Sequence, residues 1–409
     1  MEIPGVPLQL LELLFEAAAG KRLALVGGAV RDLLLHRVHS DPWRGLPDLD
    51  LVVEGEAVML LDRLQRQPGP IALKRYRSHG AFGTVELELQ LHSETWLVDL
   101  ASARSEDYPK PAENPRVSLG SLDDDLARRD FSVNAIALLL APDRFGTALL
   151  DPHGGQADLE RRQLRLLHPH SLRDDPTRLL RAARYAARLG FALAPESQQQ
   201  VRSTLEHWPW LWRPGGDPAQ APPALGTRLR MELELLLERE PWRQALAALQ
   251  GWGGLQLLDA QLQQDRHWRR RLAWAQRLGV PLLPALVAGS AEPLAMAERL
   301  QLPHRQHRLL AQLQWLNQRL AAGPVGLSPS GWCTLLEGSG LSAEAVALAI
   351  AAGAVPRRPL LHWWGRWRHL EAPLTAQQLM QREQLQPGPQ LGLRLRQLRA
   401  ERLDQLEQR

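Results

Sequence analysis

Strand-forming patterns crowd into residues 22–140 of this 409-residue chain and stop by about residue 155. "RLALVGG" runs apolar into a glycine pair, and "AVRDLLL" behind it reads as the start of a helix. "LDLVVEG" is a second strand, bounded by Pro47 and Gly55. "GTVELELQL" alternates from Val85 to Leu91, the period of a half-buried strand. "TWLVDLASA" supplies a fourth, and "FSVNAIALLLA" fits a helix or a strand equally. Segments 157–167, 176–190, 225–250, 254–277, 290–320 and 341–352 carry helical spacing, separated by breaks such as "RPGGDPAQAPPALG". The last stretch reads as two helices around a PGP turn. The division predicts an α+β chain, with a mixed sheet in an N-terminal head and helices thereafter.

Length implies two to four domains. No uninterrupted apolar run reaches the ~18 residues of a membrane-spanning helix, so no membrane partner is expected. "MEIPGVPLQLLELLFEAAAGKRL" has acids inside its apolar stretch and no basic leader region, and reads as an amphipathic helix. Cys333 is the only cysteine, which excludes an intramolecular disulfide and a cysteine-based zinc site. These features favour a cytoplasmic location. Twelve of the fourteen tryptophans lie from Trp208 onward, at helical spacing that suits a core.

The net charge is only +4, but its makeup is uneven. Lysine occurs at Lys21, Lys74 and Lys110 alone, and every other base is arginine, a bias that a GC-rich genome accounts for in general. From Arg161 to Gly190 eight arginines face only Asp174 and Asp175, a net +6 that would attract phosphate. Within that stretch, "DDPTRLLRAARYAARLGF" opens with two acids and a proline and continues with Arg178, Arg181, Arg184 and Arg188. At 3.6 residues per turn these four fall within about 120° of one another. One helix face could then meet base and phosphate together. Asp175-Pro176 also reads as an N-cap and first-turn proline, a job that Asp174 could take and so leave Asp175 free.

Other motifs carry chemistry. Gly27 and Gly28 end a strand before a helix that holds Arg31 and Asp32, where backbone N–H groups can approach an anion. Asp48 and Asp50 stand two apart at the start of a strand, so both side chains point to one face and can hold a divalent metal. Asp99, late in another strand, is a third acid of the kind a two-metal phosphoryl-transfer site requires. "LARRDFSVNAIAL" adds Arg128, Arg129, Asp130 and Asn134 before an apolar segment, where capping by Asp130 is the alternative.

The ordered set GG-x-V-R-D, D-x-D, R-R-D-F-S-x-N-A, "DPHGGQADLERRQLR" and D-D-x-x-R-x-x-R resembles that of class II tRNA nucleotidyltransferases and the related bacterial poly(A) polymerases. The resemblance covers about residues 22–191; "RLRMELELLL" at 228–237 is similar to a fifth helical motif, and the PGPQLG turn to a tail motif. It implies a polymerase-β-like head at 1–150, a helical neck at 151–240 that recognises the base, and a helical body and tail at 241–409 that binds tRNA. It further implies two Mg²⁺ held by Asp48 and Asp50, with Asp99 as the third carboxylate. Gly28, Arg31 and Arg129 would contact the triphosphate and Asp130 would sit near the ribose. Asp175 and Arg178 would read the base edge in place of a template, with Arg181 and Arg184 completing the nucleotide site.

CTP and ATP share an exocyclic amine beside a ring-nitrogen acceptor, so one aspartate–arginine pair could accept both and reject G and U. With the resemblance, the expected activity is CCA addition to the tRNA 3′ end from CTP and ATP. CC-only addition, A-only addition and poly(A) synthesis are the alternatives, with an inactive RNA-binding relative more remote. Relatives that add only CC typically lack part of the segment "RSEDYPKPAENPRVSLGSLDDDLA", which is present here. The chain departs from the family pattern in a long His- and Trp-containing loop at 36–47, in "SAR" ending at Arg104, in Asp174 and in Ser132. Without G-x-G-x-x-G, a dinucleotide-dependent enzyme is disfavoured.

Overall fold

The computed structural model describes residues 3–43, 45, 49–66, 71–80, 83–141, 148–323, 326–338 and 340–405. Contacts divide the chain into two compact units, Met1–Leu211 with Pro222–Gly254 and Trp212–Ala221 with Leu255–Arg409. Among the described residues no helix is long and apolar enough to cross a membrane.

The first unit opens with the expected amphipathic helix, α1 (Leu8–Ala17), followed by β1 (Leu23–Val26), α2 (Gly28–Arg37), β2 (Leu49–Val53) and α3 (Ala57–Arg66). Next come β3 (Ile71–His79), β4 (Thr84–Leu91), β5 (Glu94–Ser102), β6 (Arg104–Asp107), β7 (Arg116–Leu119) and α4 (Leu122–Ala127). A one-turn 3₁₀ helix, Ser132–Asn134, leads into β8 (Ala137–Leu139) and β9 (Leu149–Leu150). Seven strands form one sheet in the order β3-β4-β5-β2-β1-β8-β9, with β2 and β5 parallel and the other neighbours antiparallel. The chain is thus α+β, and the four expected strands are β1, β2, β4 and β5.

"FSVNAIALLLA" resolves into the 3₁₀ turn and β8. The unexpected β3 is an edge strand in which only Ile71 is buried, so it carries no apolar alternation to read. In β4 the alternation is as expected, with Val85, Leu87, Leu89 and Leu91 buried and α3 lying against β3, β4 and β5. On the other face Ala24, Val26, Val52 and Ala137 close a core with Ala103, Leu122, Leu126 and Ala135. That second core matters for chemistry, because α4 lies on it and its C-terminal end carries Arg128 and Arg129.

The same unit continues through α5 (Gly155–Glu160), β10 (Gln163–Leu164), α6 (Ser171–Asp174), α7 (Thr177–Leu189), β11 (Ala192–Leu193), α8 (Pro195–His207), α9 (Thr227–Arg239) and α10 (Trp242–Gly251). The helical run expected over 225–250 breaks at Pro241, which has no N–H to continue a helix. Two-residue strands β10 and β11 pair in parallel, a short exception to the all-helical expectation beyond residue 155.

The "DPHGG" motif serves the fold. Asp151 accepts from the Gly155 and Gln156 amides (2.6 and 2.9 Å) and caps α5. A Cβ on Gly155 would lie 2.3 Å from the Ser132 carbonyl oxygen, so only glycine lets α5 reach the 3₁₀ turn. Asp158, fully buried, accepts from the Ser132 hydroxyl at 2.6 Å and from Arg165.

The second unit is helical: α11 (Ala260–Gln264), α12 (Trp268–Arg277), α13 (Leu282–Val287), α14 (Pro293–Arg299), α15 (His304–Ala321), α16 (Pro329–Glu337), α17 (Ala343–Ala352), α18 (Arg357–Gly365), α19 (Ala376–Glu383) and α20 (Pro389–Gln405). The last two flank the PGP turn. Trp268, Trp332, Trp363 and Trp367 are buried, in keeping with tryptophan as core.

Candidate active site

Gly27 closes β1 with φ +68, a backbone conformation that favours glycine, and starts α2. A Cβ there would stand 3.2 Å from an Arg129 guanidinium nitrogen and 3.9 Å from the Asp50 carboxylate. Asp50 of β2 is paired in register with Asp99 of β5. Side chains paired this way share a sheet face, so two half-buried carboxylates stand side by side. Asp48 lies outside the described residues.

Asp125, which the sequence reading passed over, holds both arginines of the R-R-D motif. Arg128 donates to its Oδ1 (2.9 and 2.6 Å), and Arg129 donates to its Oδ2 (3.2 and 2.7 Å). Burial alone would raise the fully buried Asp125 carboxyl, but the Arg129 and Arg128 guanidinium groups hold it below the usual carboxylate range. Arg129 is thereby aimed over Gly27, while Arg128 also reaches Glu106 at 3.0 Å.

Asp130 and Asn134 face inward. Asp130 Oδ1 accepts from the Phe131 amide (2.8 Å) and from the Asn134 side-chain amide (3.0 Å), and Oδ2 accepts from Arg181 (2.8 Å). Asn134 Oδ1 in turn accepts from the buried Arg31 at 2.8 Å. Burial works to raise Asp130, yet Arg181 and the Asn134 amide keep it low. Tyr185 lies among three guanidinium groups, those of Arg31, Arg181 and Arg188, at 5.4–5.9 Å, and edge-on to Phe131. From Arg31 to Arg181, charges from α2, the 3₁₀ turn and α7 are joined in one hydrogen-bonded run.

The arginine ladder does not present a single face to a ligand, contrary to expectation. Arg178 and Arg181 line the cleft. Arg184 instead donates to Glu232 at 2.5 Å and lies 3.4 Å from Glu240, and Arg188 is bound to Glu240. The cause is α9 and the residue that ends it, since Glu232 and the C-cap Glu240 neutralise the far half of the ladder.

Asp175, one residue before the N-cap Pro176, supplies the oxygen that meets the first turn of α7. Its Oδ1 accepts from the Thr177 amide (3.0 Å) and hydroxyl (2.6 Å), and its Oδ2 accepts from Arg228 of α9. Asp174 makes no side-chain cap on α7; its carbonyl accepts from the Ala112 amide, and burial raises its carboxyl. Arg178 donates to the Arg128 carbonyl (2.9 Å) and lies 3.3 Å from His168 Nε2. Burial, with Arg178 next, pushes His168 down to about 4, so it faces the guanidinium as neutral imidazole.

These elements enclose a cleft of about 470 Å³. Of the residues expected at a nucleotide site, it gathers Gly27, Gly28, Asp50, Arg129, Asp130, Asn134, Asp175, Arg178 and Arg181; Arg31, Asp99 and Arg184 do not line it. Sequence reasoning missed Glu106, Tyr108, Thr177 and Tyr185, which also line it. The segment "RSEDYP" held the signal for two of them. Tyr108 donates to Glu106 at 3.1 Å, and burial beside Asp175 and Glu106 pushes its hydroxyl up to about 12.

A family model described as the poly A polymerase head domain matches residues 23–165. A CC-adding tRNA nucleotidyltransferase of Deinococcus radiodurans is 37% identical over 365 residues, 85% of this chain and 85% of its own. The chain belongs to the class II tRNA nucleotidyltransferase family. An A-adding tRNA nucleotidyltransferase of Halalkalibacterium halodurans is 42% identical over 201 residues, which span 48% of this enzyme and 43% of that one. A CCA-adding enzyme solved in an apo form shares the fold, with a TM-score of 0.71 at 24% identity over 98% of this chain and 93% of its own.

This nucleotidyltransferase belongs to a family that generally uses divalent metals. Among the described residues no three candidate ligands form a metal-holding group. Asp50 and Asp99 nonetheless supply two oxygen donors on one face, the donor chemistry that a hard cation such as Mg²⁺ takes. Their adjacency also costs mutual repulsion, which a cation relieves.

Proposed function

We propose that this nucleotidyltransferase extends tRNA 3′ ends with cytidine from CTP, and that CC addition is its complete reaction. The observation that carries this reading is the Deinococcus radiodurans relative, named as CC-adding, which matches 85% of both chains. Full CCA addition, which the motifs alone put first, is the second reading. It is supported by the segment between Asp99 and Arg128, which is complete and folds as the β6–β7 hairpin followed by α4.

In this reading Asp48, Asp50 and Asp99 hold Mg²⁺, which when bound acidifies the primer hydroxyl and neutralises the triphosphate. The primer 3′ oxygen attacks the α-phosphorus and pyrophosphate departs. Arg129, held over Gly27 by Asp125, meets the triphosphate together with the Gly28 amide at the start of α2. Arg31 acts from behind Asn134, orienting Asp130 and Arg181 at the ribose side. Asp175 and Arg178 read the base. A carboxylate has about four acceptor sites; Thr177 and Arg228 occupy three of those on Asp175. One site is left, enough for one hydrogen of the cytosine or adenine amine, while Arg178 donates to the ring nitrogen. Residues 151–240 act as the base-recognising neck, and residues 241–409 bind the tRNA.

The test uses tRNA transcripts ending at the discriminator base, at C and at CC, each with labelled CTP, ATP, GTP and UTP under Mg²⁺. CTP is expected to enter the first two primers and nothing to enter the third. ATP on the CC primer would select full CCA addition. No incorporation on any primer would sink the enzyme reading itself.

A further inference from the structure

The second unit holds a cluster of cations that no acid answers among the described residues. Along α12, Arg270, Trp274 and Arg277 follow one another at i, i+4 and i+7, which places them on one stripe of the helix. Arg357, the first residue of α18, lays its guanidinium over the Trp274 ring at 4.4 Å, and Arg277 stands 5.4 Å from the same ring. Arg270 and Arg277 are exposed, while Trp274 and Arg357 are half-buried. Two guanidinium groups therefore share one indole, with Arg270 one turn before it on the same stripe.

Two features go beyond packing. Arg357 Nε and Nη2 are shielded from solvent and make no hydrogen bond, an arrangement that costs free energy unless an acceptor arrives. Arg357 also lies near Arg270, whose like charge, after burial, lowers its basicity. The unit's fully buried arginines each have acceptors, Arg271 in Asp265 at 2.6 Å and the Ala285 carbonyl, Arg299 in the Leu257 and Leu258 carbonyls for its terminal nitrogens, its Nε alone being unpartnered. The Arg270–Arg357 pair lacks such an answer among the described residues, and the uncapped first turn of α18 adds its N–H dipoles to the same end.

We infer that Arg270, Arg277 and Arg357 around Trp274 form a phosphodiester-binding site for the backbone of the RNA substrate. Cations interleaved with an aromatic ring fit that chemistry: guanidinium forks take phosphate oxygens in pairs, and the indole holds the forks in place. Packing of α18 on α12 alone would need no second arginine at that spot, and would be served as well by an uncharged side chain. The inference rests on RNA being the substrate.

The test compares the full chain with Arg270→Met, Arg357→Met and the double variant. Methionine keeps an apolar stem against Trp274 and removes the charge. Binding of fluorescent tRNA is read by anisotropy across a salt series, and CTP incorporation is read in parallel. The double variant is expected to bind about tenfold more weakly, and each lost phosphate contact should reduce the salt slope by about 0.7–0.9. Arg357→Lys should restore part of the affinity, and thermal melts check the fold of each variant. A double variant that melts like the parent and keeps its affinity and salt slope would overturn the inference. If instead the parent binds no tRNA and incorporates nothing, the RNA reading has failed and the site falls with it.

Discussion

Arg228 reaches from α9 to the Asp175 carboxylate at the mouth of α7, so the acid proposed to read the base arrives with its own counter-ion. Capping and base reading had looked like rivals for this side chain. In the structure its two oxygens divide the work, Oδ1 towards Thr177 and Oδ2 towards Arg228. Asp175→Asn keeps a capping oxygen and loses the charge. It should melt within about 1 kcal/mol of the parent. Its preference for CTP over UTP should fall about tenfold, the worth of one hydrogen bond. Incorporation assays with all four nucleotides, alongside thermal melts, decide the matter. Lower stability with intact discrimination would leave Asp175 a cap only.

Asp125 is expected to matter as much as the residues it holds. Asp125→Ala strands two arginines that share one buried carboxylate, and should cost about 3 kcal/mol by chemical denaturation. Arg129 would also lose its fixed aim over Gly27, so the KM for CTP should rise several-fold. An unchanged denaturation midpoint would show that solvent can replace Asp125.

The two glycine motifs should fail in different ways. Gly27→Ala carries a positive-φ backbone cost of about 1–3 kcal/mol and presses on Arg129, so turnover should suffer more than folding. Gly155→Ala drives a Cβ against the Ser132 carbonyl, and should lower expression and melting temperature. Circular dichroism melts and steady-state kinetics on both variants separate the outcomes; a stable, fully active Gly155→Ala chain would refute the clasp.

His168 gives a pH signature. Its folded pKa is about 4 against 6.5 for the free side chain, so between those values the unfolded chain binds more protons. Its contribution is present above about pH 6.5 and is lost as pH falls towards 4. His168→Gln should flatten the stability-versus-pH curve in that window relative to the parent. Urea denaturation at stepped pH values measures this, and parallel curves for the two proteins would contradict it.

Much of the site could be read in advance because its residues are local. Gly27, Gly28, Asp50 and Arg129 sit at or beside the ends of strands and helices, and those boundaries leave marks in the sequence. What escaped depends on distant partners. Nothing near Arg184 or Arg188 announces Glu232 and Glu240, which arrive on a helix about fifty residues later and turn half of the ladder into structure. Asp125 reads as one more acid in "LDDDLA" until the fold buries it. β3 escaped for a different reason: an edge strand with one buried residue has no hydrophobic period.

Arg181 gives this chain's scarcity of lysine a second cause. Its Nε and one terminal nitrogen grip Asp130, that terminal nitrogen also reaching towards Tyr185, while the other serves Glu232. A lysine brings three N–H groups on a single nitrogen and cannot reproduce the planar fork that spans Asp130 and Glu232. Base composition of the genome can swap lysine codons for arginine codons over an open surface, and a laboratory can swap them back. At position 181 the exchange runs one way. Recoding this enzyme towards lysine, for expression or for chemical labelling, would have to stop there.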